Sequence, residues 1–138
     1  MFVLDTNVVS ELRKAASGRA DARVVAWAAA LRPAALFISA ITLMEIEQGT
    51  LQLERRDPRQ GALIRRWFER QVQPAFEGRV LAVDDAVALR CARLHVPDPR
   101  HERDALIAAT ALVHGMTVAT RNAADFAATG VPLLDPWA

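Results

Sequence analysis

At 138 residues, with 52% hydrophobic and 24% charged side chains, the chain can bury one real core, which excludes a disordered segment and a disulfide-stapled miniprotein. A formal net charge of +1 excludes a polycationic nucleic-acid coat, although 17 basic side chains are present and all but Lys14 are arginine. The single cysteine, Cys91, can form no internal disulfide, no run approaches the roughly 20 apolar residues of a membrane span, and no basic-then-apolar leader opens the chain. The expectation is a folded protein beginning at Met1, in the reducing cytoplasm, with Cys91 as a small buried hydrophobe.

Phe2-Val3-Leu4 is a short apolar run that stops at Asp5, as a strand buried on both faces does. Val24, Trp27, Ala28 and Leu31 recur at helical spacing, and Pro33 ends that helix. Leu36 to Ser39 reads as a second strand. Leu43, Ile46, Gly49 or Thr50, and Leu53 mark a second helix; Leu63, Trp67 and Val72 mark a third, with Arg65, Arg66 and Arg70 on its flank. Val80 to Val83 is a strand, after which Asp84 or Asp85 caps a helix carrying Val87, Cys91 and Leu94. Asp104 opens the clearest helix, which runs to His114 with Gly115 as its stop. Thr117 to Thr120 and Pro132 to Leu134 close the series as strands, the last at an edge, where proline is tolerated. The alternation predicts an α/β fold in one domain over residues 1–138, with a mostly parallel sheet of four to five strands.

In open parallel sheets, ligands gather beyond the carboxyl ends of the strands, and several polar residues fall there. Asp5 follows the first strand, with Thr6 and Asn7 next. Ser39 ends the second, and Glu45 lies in the first turn of the helix it feeds. Thr120 ends a later strand, with Asn122 and Asp125 beyond, and Asp104 starts the helix leading back to it. Two carboxylates about 4 Å apart repel by roughly 4 kcal/mol at an effective dielectric near 20, so such a cluster takes up protons or recruits a cation. His95, His101 and His114 show no ligand-spaced companions, and carboxylate oxygen suits Mg²⁺ or Mn²⁺ better than zinc. Mg²⁺ keeps several waters and leaves room for phosphate oxygens, which points to phosphodiester hydrolysis.

The motifs Asp5-Thr6-Asn7, Ser39-Ala-Ile-Thr-Leu-Met-Glu45-Ile, Asp104-Ala-Leu-Ile-Ala-Ala-Thr-Ala and Thr120-Arg-Asn-Ala-Ala-Asp125-Phe resemble those of PIN-domain nucleases. More narrowly they resemble the VapC toxins of bacterial toxin–antitoxin pairs, including the FitB-like branch. The match runs from Met1 to the closing Leu-Asp-Pro-Trp. The resemblance implies a PIN-like three-layer α/β/α sandwich and a Mg²⁺-dependent endoribonuclease, with Mn²⁺ as a substitute. It also implies a homodimer and a VapB-like antitoxin that blocks the pocket. Its metal-binding acids fall on Asp5, Glu45, Asp104 and Asp125, with Asn122 sharing or replacing the last; Thr6, Asn7, Ser39 and Thr120 match the small polar positions around them.

Each acid also has a structural reading. Asp5 can start a turn or cap a helix, Thr42-x-x-Glu45 fits a capping box, Asp104 suits a helix N-terminus, and Asp125 can cap a short turn. The arrival of all four at one predicted edge favours the functional reading. Glu11 and Glu102 lie close to the motifs; His101 and Arg103 flank Asp104 and can touch phosphate, as can Arg121, but all three are assigned to solvated loops, and Trp27 and Trp67 to core or interface. The rivals are a catalytically silent PIN-like protein-binding module and other phosphate enzymes. A haloacid-dehalogenase-like phosphatase needs an aspartate where Asn7 stands, and no Gly-rich phosphate cradle exists for a P-loop.

Overall fold

A computed structural model describes residues 1–138. Strands β1 (Phe2–Leu4), β2 (Leu36–Ser39), β3 (Val80–Leu81), β4 (Thr117–Ala119) and β5 (Leu133–Leu134) form one sheet in the order β3-β2-β1-β4-β5. Every pairing is parallel, with Phe2 opposite Leu36 on one side and Thr117 on the other. The chain builds outward from β1 through β2 to β3, then crosses back to lay β4 against the free side of β1. The strand order therefore reverses at β1, between its two neighbours.

The helices are α1 (Thr6–Arg13), α2 (Ala22–Ala29), α3 (Ala40–Arg56), α4 (Pro58–Trp67), α5 (Gln73–Ala75), α6 (Asp85–Leu94), α7 (Glu102–His114) and α8 (Ala123–Phe126), with a π-helical turn over Phe68–Val72 joining α4 to α5. They cover both faces of the sheet. Successive strand residues point to opposite sides, so Leu4, Ile38 and Ala119 join Val8, Val24, Ile46 and Phe68 in one core. Val3 and Val118 join Ile107, Ala108, Ala111 and Phe126 in the other. The result is the three-layer α/β/α sandwich expected. In α7, Ala105, Ala108, Ala109 and Ala111 are wholly buried, which lets that helix lie close to β1 and β4 on one side and to α6 on the other. No helix is long and apolar enough to cross a membrane.

The differences from expectation lie at element ends. The third strand stops at Leu81 instead of Val83, the fourth at Ala119, and α7 begins at Glu102, two residues before Asp104. Helices α1 and α8 were not anticipated as elements. Asp84 does cap α6, accepting the Val87 N–H at 2.9 Å, and Gly115 ends α7 with φ +66°, a conformation that favours glycine. Cys91 is buried against α7, as expected.

Candidate active site

Beyond the carboxyl ends of β1 and β4, where the strand order reverses, Asp5 and Thr120 face each other. Thr120 Oγ1 donates to Asp5 Oδ2 at 2.8 Å across 115 residues of sequence, and both side chains are buried. The same carboxylate caps α1 by accepting the Thr6 N–H at 2.8 Å, so its structural reading holds as well. Asn7 stitches the two strand ends together. Its amide nitrogen reaches Asp5 Oδ2 (3.3 Å) and Thr120 Oγ1 (3.4 Å), and its oxygen accepts the Arg121 N–H (3.3 Å).

Glu45 enters from α3. The capping-box reading fails: α3 starts at Ala40, and the helix is capped by Ser39, whose buried hydroxyl accepts the Ile41 N–H at 3.0 Å. Glu45 therefore lies more than a turn inside, with its side chain free for distant partners. Thr6 Oγ1 donates to Glu45 Oε1 at 2.7 Å, and the buried Thr42 hydroxyl stands 3.4 Å from that of Thr6. Ser39 supports the site through the helix it caps, and Thr42, set aside as half of a capping box, is the supporting residue that sequence reasoning missed.

The electrostatics tie all four acids together. Burial pushes the Asp5 carboxyl up from its ordinary value; the Thr120 and Thr6 hydrogen bonds oppose this, and the charges of Asp104 and Glu45 reinforce it. Burial likewise pushes Asp104 up, against the pull of His101, and the charges of Asp125 and Glu45 add to the rise. Asp125 lies exposed in α8 with no side-chain cap hydrogen bond at that helix's start, so it forms the outer rim. Asn122 contributes through its backbone, whose N–H bonds Thr120 Oγ1 at 3.0 Å. From Thr6 and Glu45 a groove of about 240 Å³ runs between α1, α3 and α4 to Arg13 and Trp67. Trp67 thus helps to wall a groove beside the site.

Arg103 is not in a loop. It sits in the first turn of α7, with Nη2 donating to Gln48 Oε1 at 2.8 Å and Nη1 3.7 Å from Glu45 Oε2. Glu11 is a brace between α1 and the start of α2, accepting from Lys14 Nζ (3.0 Å) and the Asp21 N–H (2.8 Å). The histidine expectation needs correction, because His95 does have companions. The donor atoms of Cys91, His95 and Glu102 all lie within 4.8 Å of one another. Cys91, in the last turn of α6, and His95, just past its end, are four residues apart, a spacing visible in the sequence; Glu102 joins them only through the fold. Their hydrogen bonding speaks against a metal. His95 Nδ1 accepts the Arg100 N–H at 3.0 Å, which puts the proton of the neutral ring on Nε2, the atom 3.2 Å from Glu102 Oε2. A metal would need that nitrogen's lone pair. The group is a polar clasp between α6 and α7.

The PIN domain family model matches residues 2–131. Among relatives, the VapC ribonuclease Y4jK of Sinorhizobium fredii is 38% identical, over 99% of this chain and 98% of its own. The toxin FitB of Neisseria gonorrhoeae is 34% identical over 99% of both chains, and the crystal structure of FitAcB from that organism superposes with a TM-score of 0.89 over 99% of each. A toxin–antitoxin complex from Klebsiella pneumoniae contains a chain 28% identical, with a TM-score of 0.65 over 99% of this chain and 98% of that one.

Proposed function

This chain belongs to the PIN domain family, and from that premise we propose that it is a metal-dependent endoribonuclease, the toxin of a VapBC-type toxin–antitoxin pair. Residues 1–138 act as one domain, in the cytoplasm, as a homodimer whose activity a VapB-like antitoxin restrains; the toxin–antitoxin complex among its structural relatives supports the partner. The observation that carries the reading is the mutual coupling of Asp5, Glu45, Asp104 and Asp125 at the point where the strand order reverses.

The donor set fits a hard divalent cation. It is all oxygen, and two of its members, Asp5 and Glu45, accept hydrogen bonds from the hydroxyls of Thr120 and Thr6. Asp5, Glu45 and Asp104 would hold Mg²⁺, or Mn²⁺ in its place, with Asp125 completing the set from the rim. When bound, the ion supplies charge for the phosphate and a more acidic water. The chain's own residues do the rest. Thr120 and the Thr6 N–H fix the Asp5 carboxylate; the Thr6 hydroxyl fixes Glu45 Oε1 and leaves Oε2 outward. An acid of the cluster takes the proton of the attacking water. No histidine is placed for a general-acid mechanism.

The purified protein with Mg²⁺ is expected to cleave structured RNA, and Asp5→Asn or Asp104→Asn to abolish cleavage. Equal residual cleavage in both variants marks a contaminating nuclease and overturns the reading.

A further inference from the structure

We propose that Arg103 is a substrate-binding residue that grips an RNA phosphate beside the carboxylate cluster; this rests on the nuclease reading above. The geometry is that of an arginine held ready but not used up. One corner of the guanidinium is anchored to the neutral amide of Gln48 at 2.8 Å, across 55 residues of sequence. The other corner stands 3.7 Å from Glu45 Oε2, within ion-pair range and beyond a hydrogen bond. A guanidinium carries five N–H donors in a planar fork. Two of its nitrogens are accounted for here, and the side chain is 41% exposed, so donors remain for a partner from solution. Phosphate matches that fork with two parallel hydrogen bonds.

Helix stability does not account for Arg103. It stands in the first turn of α7, where the macrodipole favours anions such as its neighbours Glu102 and Asp104 and disfavours a cation. Nor does whole-molecule charge supply affinity for RNA, since the net charge is +1 and the cluster itself repels a polyanion. Local contacts must hold the backbone, and Arg103 is the arginine whose guanidinium pairs with a cluster acid. With Glu45 engaged on a divalent ion, Nη1 would be left for the phosphate.

The test is binding, in Mg²⁺, of a fluorescein-labelled single-stranded RNA of mixed sequence to Asp104→Asn protein, with and without Arg103→Ala, over a salt series. The expected result is about fivefold weaker binding by the double variant and a log–log salt slope shallower by about 0.7, the loss of one single-strand phosphate contact. Arg103→Lys keeps the slope but binds more weakly, having lost the fork. Unchanged affinity and slope overturn the proposal. So does weaker binding at an unchanged slope with a lowered melting midpoint, which marks a structural role. Degradation of the RNA by the Asp104→Asn parent, read on a gel, overturns the cluster reading and this proposal with it.

Discussion

Helix α3 delivers acids to two places, and they fare differently. Glu47 and Glu54 meet Arg65 of α4, whose guanidinium lies 2.6 Å from Glu47 Oε2 and 2.9 Å from Glu54 Oε1. Hydrogen bonds from Arg65 hold the Glu54 carboxyl below its ordinary range, and both glutamates hold Arg65 above its own. Glu45, on the same helix, meets Asp5 and Asp104, and the nearest resident cation is Arg103 at 3.7 Å. There the carboxyls of Asp5 and Asp104 are held above their ordinary range. An acid matched by a resident arginine secures a helical hairpin. An acid left short of one makes a place for a cation from solution.

Variants that act on one region and spare the other test this contrast. The largest effect belongs to Asp5→Asn and Asp104→Asn, each expected to cut RNA cleavage by at least about a hundredfold, since several kcal/mol of charge stabilisation depend on the ion they are proposed to hold. Thr120→Val leaves all four acids and removes the hydroxyl that holds Asp5 and accepts from the Asn7 amide and the Asn122 N–H. It should weaken Mn²⁺ binding, measured by calorimetry, by roughly 10–100-fold. In the hairpin, Gly61 packs on the backbone of Glu54, whose amide nitrogen would lie 2.7 Å from an added Cβ. Gly61→Ala should therefore cost about 1–3 kcal/mol in denaturant unfolding, while the folded variant binds Mn²⁺ like the parent.

The smallest effects carry the opposite signs that the contrast demands. A carboxyl raised in the folded state contributes stability at low pH and loses it as pH rises through its folded value. Metal-free Asp104→Asn should thus melt above wild type at neutral pH, with the gap closing as pH falls toward the ordinary aspartate value of 3.8. A midpoint below wild type sinks this view of the site. A carboxyl lowered in the folded state does the reverse, so Arg65→Ala should melt below wild type at neutral pH. That gap closes as pH falls through the range where Glu54 takes up its proton, and it shrinks with added salt.

The strands were legible because β1, β2 and β4 are buried on both faces and so read as unbroken apolar runs. The ends of β3 and β4 were not, since an apolar residue just past the last pairing looks the same as one inside it. Asp5, Glu45, Asp104 and Asp125 were legible as residues at strand ends and helix starts. Their supports were harder. A hydroxyl such as Thr42 can serve its own helix or lie beneath a distant carboxylate, and only the fold decides; here Ser39 had already taken the cap. Arg103 was legible as a neighbour of Asp104 able to touch phosphate, but its anchor on Gln48, 55 residues away, was not. The Cys91–His95 pair was readable at its spacing of four, but the Arg100 N–H that fixes the ring's proton was not.

The bond between Asp5 and Thr120 joins nearly the two ends of the chain. β1 is made before β2 and β3, yet its second neighbour, β4, is made after both, and the acid Asp125 follows it. Local helices can form early, but a contact of such sequence separation waits on closure of almost the whole polypeptide. Fragments cut short just before Thr120 carry Asp5, Glu45 and Asp104 without the hydroxyl that holds Asp5. The complete site therefore forms only after β4 and α8 have been made.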